Sequence, residues 1–195
     1  MRVFGNPPRG IPSDEVTARM LEMLQLKPTD KLMEIGTGSA TQTAIWAKHC
    51  KEVHTVELKP FNYCDHLGNH VFFREGDGKE GIPSEAPFDA IVVTCGVSEI
   101  YSAWRDQLVE GGRMVVPIGK SDLQRLALFV KHDGWVSPVK IAGYVRFQMM
   151  EKRQHENVRS SFTARPYDFW STSGIEVAQD SEALTSAPGA THEET

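Results

Sequence analysis

Apolar and polar residues follow two different periods along the first 150 positions. The segment from Ser13 to Leu24 carries apolar residues at helical spacing behind N-capping groups, which predicts a first helix. Shorter apolar runs farther along predict strands. These runs cover residues 31–35, 52–57, 71–75, 88–94, 113–118, 126–131 and 141–149, with further helices predicted over 41–49 and 101–109.

The alternation of strands and helices predicts an α/β fold. Strands that are separated by helices favour a mostly parallel sheet covered on both faces. No helical pattern separates the runs at 113–118, 126–131 and 141–149, and Asp133-Gly134 is a typical turn. We therefore expect the C-terminal strands to form an antiparallel end to the sheet.

The pattern divides the chain into a domain over residues 1–150 and a polar tail over 151–195. The tail is rich in Ser, Thr, Ala and acidic residues, a composition that cannot bury enough apolar area to order a chain, so we expect it to be partly disordered. The segment 164–170, with the sequence ARPYDFW, holds three aromatic residues. It could dock on the domain or on a protein partner.

Composition narrows the function classes. The chain has 195 residues, a formal net charge of -5 and 40% hydrophobic residues, as expected for a globular protein with a real core. The acidic balance argues against a broad nucleic-acid-binding surface. No run approaches the roughly 18 apolar residues of a membrane span. Three cysteines without CxxC spacing favour a reducing cytoplasm over a disulfide scaffold.

Candidate chemistry lies where the predicted parallel strands end. Glu34 to Ala40, with the sequence EIGTGSA, follows the first strand and contains glycines that let the backbone turn sharply near a ligand. Glu57 ends the second strand, where a carboxylate can accept hydrogen bonds from ribose hydroxyls. Asp77 follows the third strand and could meet an adenine amine, and Thr94 ends the fourth. Together they indicate an adenosine-containing cofactor.

Two common adenosine cofactors fit the pattern poorly. A nicotinamide dinucleotide usually requires the motif GxGxxG, and Thr41 stands where its third glycine would be. A nucleoside triphosphate usually requires GxxxxGK followed by Ser or Thr, and the chain has no such run.

The remaining pattern resembles a class I S-adenosylmethionine-dependent methyltransferase. More narrowly, the stretches LKPTDKLMEIGTGSATQTAIWA, VHTVE, EGDGKEGIPSEAPFDAIVVT and LVEGGRMVVPIG resemble the protein-L-isoaspartate O-methyltransferase family over residues 11–147. The resemblance implies a Rossmann-like sandwich, S-adenosyl-L-methionine as cofactor and methylation of isoaspartyl carboxylates during protein repair. It implies cofactor contacts at Glu34, Gly36, Thr37, Gly38, Ser39, Glu57, Asp77, Gly78 and Thr94.

The substrate side departs from the family pattern. The family usually carries Thr-Ile-Ser-x-Pro before the first core helix, with the serine at the active site. Here the segment at residues 10–14 reads GIPSD, so Pro12 occupies the serine position and Ser13 follows one residue later. Ser13 is our candidate catalytic residue, although an N-cap would explain it equally well. We also expect a truncated N-terminus and a short connection over 59–70.

Several alternatives stay open on the sequence alone. The chain could be a binding module with a methyltransferase fold, or it could methylate another acceptor, in which case Asp14, Glu15 or His132 could serve as base. Cys95 could act as a nucleophile, although a small residue at a strand end is the simpler explanation. Residues 64–70 contain loosely spaced metal-ligand types, namely Cys64, Asp65, His66 and His70.

Overall fold

The strands form one sheet with a parallel body and an antiparallel end. The structure, a computed structural model, describes residues 12–59 and 67–151 and the backbone of 176–177. The sheet order is β3-β2-β1-β4-β5-β6-β7-β8. The strands are β1 (Lys31–Ile35), β2 (Glu52–Glu57), β3 (Val71–Glu75), β4 (Phe88–Val93), β5 (Leu108–Lys120), β6 (Leu123–His132), β7 (Trp135–Val145) and β8 (Glu176–Val177). The first five run parallel, whereas β6 is antiparallel to β5 and β7, so the predicted fold class is confirmed.

Helices and short turns cover both faces of the sheet. Helices α1 (Asp14–Leu24) and α2 (Thr41–Trp46) contribute Met20, Leu24 and Trp46 to the hydrophobic cluster on one face. On the other face, helix α3 (Ser102–Gln107) contributes Trp104, and the 3₁₀ turns Gly78–Glu80 and Pro83–Glu85 lie beside it. Strand residues such as Ile91 and Met114 are fully buried between these layers.

Helix α1 begins at Ser13, as the capping pattern predicts. The Ser13 hydroxyl accepts a hydrogen bond from the Val16 amide at 3.4 Å, and the apolar face of the helix buries Met20 and Leu24. The helix ends at Gln25, whose φ of 47° is left-handed and stops the helical hydrogen bonding.

The helix over 101–109 and the strand over 113–118 were predicted with wrong boundaries. Helix α3 ends at Gln107, and β5 begins at once with Leu108, which pairs with Phe88. The next paired residue of β5 is Arg113, opposite Ala90, so the residues between form a bulge. Gly111 lies in this bulge with a φ of +73°, a conformation that suits glycine.

The last predicted strand was shifted along the chain. Asp133 and Gly134 form the predicted turn, with φ of 51° and 76°. In a two-residue turn, the residue directly before the turn pairs with the residue directly after it. Strand β7 therefore covers Trp135–Val145 instead of 141–149. Helix α2 also ends earlier than predicted, at Trp46 instead of 49.

The boundary between a 1–150 domain and a polar tail remains a prediction. Within 151–195 the structure describes residue 151 and the two residues of β8, which pair in parallel with Lys140 and Ile141 of β7. The aromatic segment 164–170 lies outside the described residues. Among the residues that are described, no helix has the length and apolar character needed to cross a membrane.

Candidate active site

The ends of four parallel strands bring most of the predicted site residues to one edge of the sheet. In the parallel registers, Ile35 at the end of β1 pairs with Val56 of β2 and Val93 of β4. Glu57 at the end of β2 pairs with Glu75 at the end of β3. The loops after these strands therefore emerge side by side at the carboxyl edge, the usual ligand-binding edge of an open α/β sheet.

The loop between β1 and α2 has a backbone that requires glycine at Gly36. Gly36 has a φ of +96°, and a Cβ built there would lie 2.7 Å from the Thr94 hydroxyl oxygen. Gly38 and Ala40 also have positive φ, at 53° and 59°. The loop therefore folds tightly over the end of β4 and leaves backbone without side chains at the carboxyl edge.

Glu57 joins this loop to the second strand. Its carboxylate accepts hydrogen bonds from the Gly38 amide at 3.0 Å and from the Leu58 amide at 2.9 Å. Each oxygen keeps acceptor capacity beyond these bonds. Glu57 is half-buried, so its carboxylate can reach a ligand at the edge.

Asp77 has an acceptor that the protein does not satisfy. One oxygen, Oδ1, accepts from the Lys79 amide at 3.0 Å and caps the first 3₁₀ turn. The other, Oδ2, is buried and has no hydrogen-bond partner among the described residues. Asp77 as a whole is only 8% exposed, so water has little access to this oxygen. An unpaired buried acceptor is costly, and an exocyclic adenine amine would supply the missing donor.

Gly78 follows this acceptor at a position where a side chain does not fit. A Cβ at Gly78 would lie 2.6 Å from a methyl carbon of Ile35, so a side chain there would force its neighbours apart. The Gly78 carbonyl accepts from the Trp104 indole at 2.7 Å, which fixes the turn against α3. The orphaned oxygen of Asp77 and the glycine backbone at Gly36 and Gly78 fit an adenosine-containing group.

Two predicted contact residues use their hydroxyls inside the protein. The Thr94 hydroxyl donates to the carbonyl of Ile35 at 2.9 Å and also contacts the Gly36 carbonyl. Thr37 is buried and shares a 2.7 Å hydrogen bond with the hydroxyl of Thr55. Both side chains therefore shape the loop. Ser39 is at the loop tip, where its hydroxyl lies 2.9 Å from that of Thr41.

Glu34 is the predicted contact that the structure does not bring to the open edge. Its side chain is fully buried, and its carboxylate accepts from the Thr43 hydroxyl at 2.6 Å and from the Trp46 indole at 2.8 Å. Burial raises the pKa of Glu34 to about 7, against the lowering effect of these donors and of Thr55. In the structure Glu34 links β1 to α2, and its direct contact with a cofactor stays a prediction.

Ser13 lies at the start of α1, one turn before Thr17. Thr17 donates both its amide and its hydroxyl to the Ser13 carbonyl, at 3.0 and 3.2 Å. The Thr17 hydroxyl in turn accepts from the Gln42 amide group at 3.0 Å. This contact ties the start of α1 to the start of α2, beside the glycine loop.

Sequence reasoning missed the segment that crosses the carboxyl edge after β7. The Gly96 amide donates to the Gln148 carbonyl and the Met150 amide donates to the Gly96 carbonyl, each at 2.8 Å. Met150 packs near Gly78, and Glu151 forms a 2.7 Å ion pair with Lys59 at the end of β2. These contacts join residues far apart in sequence, so no local pattern could reveal them.

Tyr101 and Cys95 also lie at this edge and are poor bases at neutral pH. Burial raises the pKa of the Cys95 thiol to about 12, with a smaller contribution from Glu57. Burial and the carboxylates of Glu99 and Asp77 raise the pKa of Tyr101. Both groups therefore stay protonated, which argues against Cys95 as a nucleophile.

The described residues do not assemble a metal site. Of the loosely spaced candidates, Cys64, Asp65 and His66 lie outside the described residues. His70 places Nε2 3.0 Å from the Ala47 carbonyl oxygen, which makes that nitrogen a donor. Within the described ranges, no group of three His, Cys, Asp or Glu side chains could hold a metal ion.

The whole of this edge lies inside a region that matches a known family. The model of the family described as protein-L-isoaspartate(D-aspartate) O-methyltransferase matches residues 9–155. The chain belongs to this family. The resemblance read from the glycine loop and the two acidic strand ends is thereby confirmed.

Relatives from this methyltransferase family are identical to this chain at about two fifths of the aligned residues. The protein-L-isoaspartate O-methyltransferase of Koribacter versatilis is 38% identical over 133 residues, which is 65% of this chain and 60% of the relative. That of Vibrio cholerae is 41% identical over 126 residues, covering 61% of this chain and 60% of the relative. The chain thus spans about 60% of the length of these curated relatives.

Solved structures agree with the family and its fold. A protein-L-isoaspartate O-methyltransferase structure superimposes with a TM-score of 0.63 at 28% identity, covering 73% of this chain and 48% of that one. A methyltransferase of the same name from Plasmodium falciparum gives a TM-score of 0.56 at 18% identity, covering 77% and 79%. The second likeness concerns the fold alone.

Proposed function

We propose that this chain uses S-adenosyl-L-methionine to methylate side-chain carboxylates of isoaspartyl residues in peptides or proteins. The observation that carries the proposal is the carboxyl edge itself. Within the matched family region, the bare backbone at Gly36, the Glu57 carboxylate and the unpartnered oxygen of Asp77 lie at neighbouring strand ends. That set supplies acceptors for ribose hydroxyls and an adenine amine without a pyrophosphate motif.

In this proposal, the residues of the chain hold the cofactor and position the acceptor. Glu57 binds the ribose, Asp77 Oδ2 accepts from the adenine amine, and Gly36 and Gly78 allow close approach of backbone. The bound cofactor supplies a methyl group on a sulfonium that is already activated. Catalysis then depends on in-line placement and exclusion of water.

An ionised carboxylate is the acceptor that best suits this edge. A carboxylate has a reference pKa of about 4, so at neutral pH it needs no general base. Cys95 and Tyr101, which also lie near the edge, both have raised pKa values and are poor bases. An amine or hydroxyl acceptor would need a base that these groups do not provide.

Transfer of a labelled methyl group tests the proposed activity. An isoaspartyl peptide should gain label, whereas the matched aspartyl peptide should not. Base treatment of the product should release labelled methanol, because the product is an ester. Base-stable label, or no label at saturating cofactor, would rule out the carboxylate assignment and favour a binding module or another acceptor.

We further propose that Ser13 orients the substrate while it caps α1. The Ser13→Ala variant should lower turnover, leave cofactor affinity nearly unchanged and cost about 1 kcal/mol of stability through loss of the cap. The Ser13→Asp variant keeps an acceptor for the Val16 amide but places a negative charge near a carboxylate substrate. Stability should return in this control and turnover should not. Full turnover in either variant would restrict Ser13 to capping.

Three further predictions, on the substrate class, the cellular location and segment 164–170, rest on the sequence and on the proposed activity. A peptide or protein substrate follows from the proposed activity. A cytoplasmic location rests on the cysteine content, and a role for segment 164–170 in docking a protein partner rests on its three aromatic residues.

A further inference from the structure

A buried polar network connects Glu34 to the glycine loop. On the side of α2, the carboxylate accepts from Thr43 and Trp46. On the side of β2, Thr55 pairs with Glu34 in the strand register, and its hydroxyl lowers the pKa of Glu34. The Thr55 hydroxyl also bonds, at 2.7 Å, to the hydroxyl of Thr37 in the loop. Glu34, Thr43 and Thr55 are each 0% exposed, so water cannot replace these bonds.

The donors of this network are arranged for an ionised carboxylate. A carboxylate accepts hydrogen bonds only, and Trp46 has only a donor to offer. With Glu34 ionised, Thr43 and Trp46 both donate to its carboxylate. A proton on Glu34 would need an acceptor, so one hydroxyl would have to reverse. The loop begins two residues after Glu34 and leads directly into α2, whose Thr43 and Trp46 hold the carboxylate, so the charge of Glu34 acts on both ends of the loop.

Two opposing effects act on this charge. Burial away from water disfavours ionisation, and Glu57 across the loop adds repulsion. The titratable groups near Glu34 are Glu57, on β2, and Cys50, which follows α2; the Cys50 thiol has a pKa of about 12 and stays neutral. Among the described residues, no cation is a main influence on the pKa of Glu34, so a cationic ligand at the carboxyl edge would favour the ionised form.

We propose that Glu34 is a positioning residue whose deprotonation is coupled to cofactor binding at the glycine loop. The inference rests on the proposed use of S-adenosyl-L-methionine, which carries a sulfonium and an ammonium group. A ligand that holds the loop in the observed geometry favours ionised Glu34, and its positive charge acts in the same direction. Cofactor binding near neutral pH should therefore release protons, and affinity should rise with pH.

The free protein provides a test that does not depend on the cofactor. A carboxyl whose pKa is raised from its ordinary value to about 7 binds more protons in the folded state than in the unfolded state. Its contribution to stability is full below the unfolded pKa and declines as the pH rises through 7. The Glu34→Gln variant keeps the shape, and its amide oxygen can accept from Trp46 while its amide nitrogen donates to the Thr43 hydroxyl. It cannot titrate, so this decline should be missing from its unfolding curves.

Calorimetry with S-adenosyl-L-methionine tests the coupling itself. Titrations of wild type and Glu34→Gln at pH 7, each in phosphate and in Tris buffer, give the number of protons released. Wild type should release about half a proton more than the variant, because a group with a pKa near 7 is half protonated there. Its affinity should rise about tenfold more than that of the variant between pH 6 and pH 8. Protons that the ligand itself releases are the same for both proteins, so they cancel in the difference between wild type and variant.

The variant Thr55→Val supplies a second check on the route. It removes a donor that lowers the pKa of Glu34, so the rise in affinity should move to higher pH while the protein stays folded. Equal proton release and equal pH dependence in wild type and Glu34→Gln would overturn this inference and leave the proposed function intact. Absence of binding by folded wild type at every pH would instead contradict the proposed function, and the inference with it.

Discussion

At the scale of the residue, the carboxyl edge contains side chains with two different tasks. The hydroxyls of Thr37 and Thr94 form hydrogen bonds within the protein that hold the loop in place. Asp77 instead keeps one buried oxygen unpaired, and Glu57 keeps acceptor capacity in a half-buried position. The sequence motif groups all four residues together, whereas their hydrogen bonds separate those that shape the site from those that can bind a ligand.

The Asp77→Asn variant isolates the unpaired oxygen. An asparagine oxygen can still accept from the Lys79 amide, so the turn keeps its cap. The amide nitrogen that replaces Oδ2 is a donor and cannot accept from an adenine amine. Affinity for S-adenosylhomocysteine should fall by about 1.5–3 kcal/mol, as for other hydrogen bonds to charged groups, while the melting temperature stays the same or rises. Calorimetry and a thermal melt measure the two effects.

A neighbouring acid provides the control for this change. Glu80 lies in the same turn but is exposed, so Glu80→Gln should leave cofactor affinity unchanged. Unaltered affinity in Asp77→Asn as well would mean that the adenine amine does not meet Asp77.

At the scale of the element, short helices are fixed to the sheet by buried polar contacts. Arg113 of β5 donates from Nε to the Leu24 carbonyl at the end of α1, at 2.8 Å, and its guanidinium pairs with Asp30. Asp30 also accepts from the Lys27 amide at 2.9 Å, and its side chain is only 6% exposed. One ion pair thus joins the end of α1, the turn after it and the centre of the sheet.

Removal of one partner of this pair should destabilise the fold. Asp30→Ala leaves the Arg113 guanidinium, whose side chain is 17% exposed, without its carboxylate, and a loss of about 3 kcal/mol is usual when one partner of a largely buried pair is removed. The double variant Asp30→Ala, Arg113→Met removes both charges and should recover part of the loss. Urea unfolding measures both, and a loss below about 1 kcal/mol in the single variant would show that the pair contributes little.

The same elements show what local sequence could predict. The first four strands were placed well because their apolar runs are short and bounded by turn residues. The start of β5 was misplaced because Leu108 belongs to the strand only through its pairing with Phe88 on the neighbouring strand. The start of β7 was misplaced because pairing across the Asp133-Gly134 turn extends the strand beyond its apolar run.

At the scale of the whole molecule, the sheet topology explains why the site could be predicted in outline. Parallel strands bring their carboxyl ends together, so residues that follow four strands had to share an edge. The burial of Glu34 and the segment from Gln148 to Met150 could not be predicted, because Trp46 and Gly96 meet them only in the folded chain. Sequence motifs therefore located the site, and long-range contacts assigned the roles within it.

The polar tail allows a prediction about the extent of the folded unit. A chain ending at Ala178 keeps β8 on β7 and loses a segment that consists mostly of small, polar and acidic residues. Its melting temperature and its stabilisation by S-adenosylhomocysteine should equal those of the full chain. A chain ending at Glu151 also loses β8 and serves as the comparison. A large drop in the longer variant would show that residues after 178 pack on the domain.

Binding of S-adenosylhomocysteine to the purified chain tests the central claim most directly. Calorimetry of the folded wild type should show one site per chain, and Glu57→Ala should bind about 1.5–3 kcal/mol more weakly because a charge-assisted contact is lost. Absence of binding heat at several temperatures, with the wild type shown to be folded by circular dichroism, would contradict the assignment of the carboxyl edge as a cofactor site.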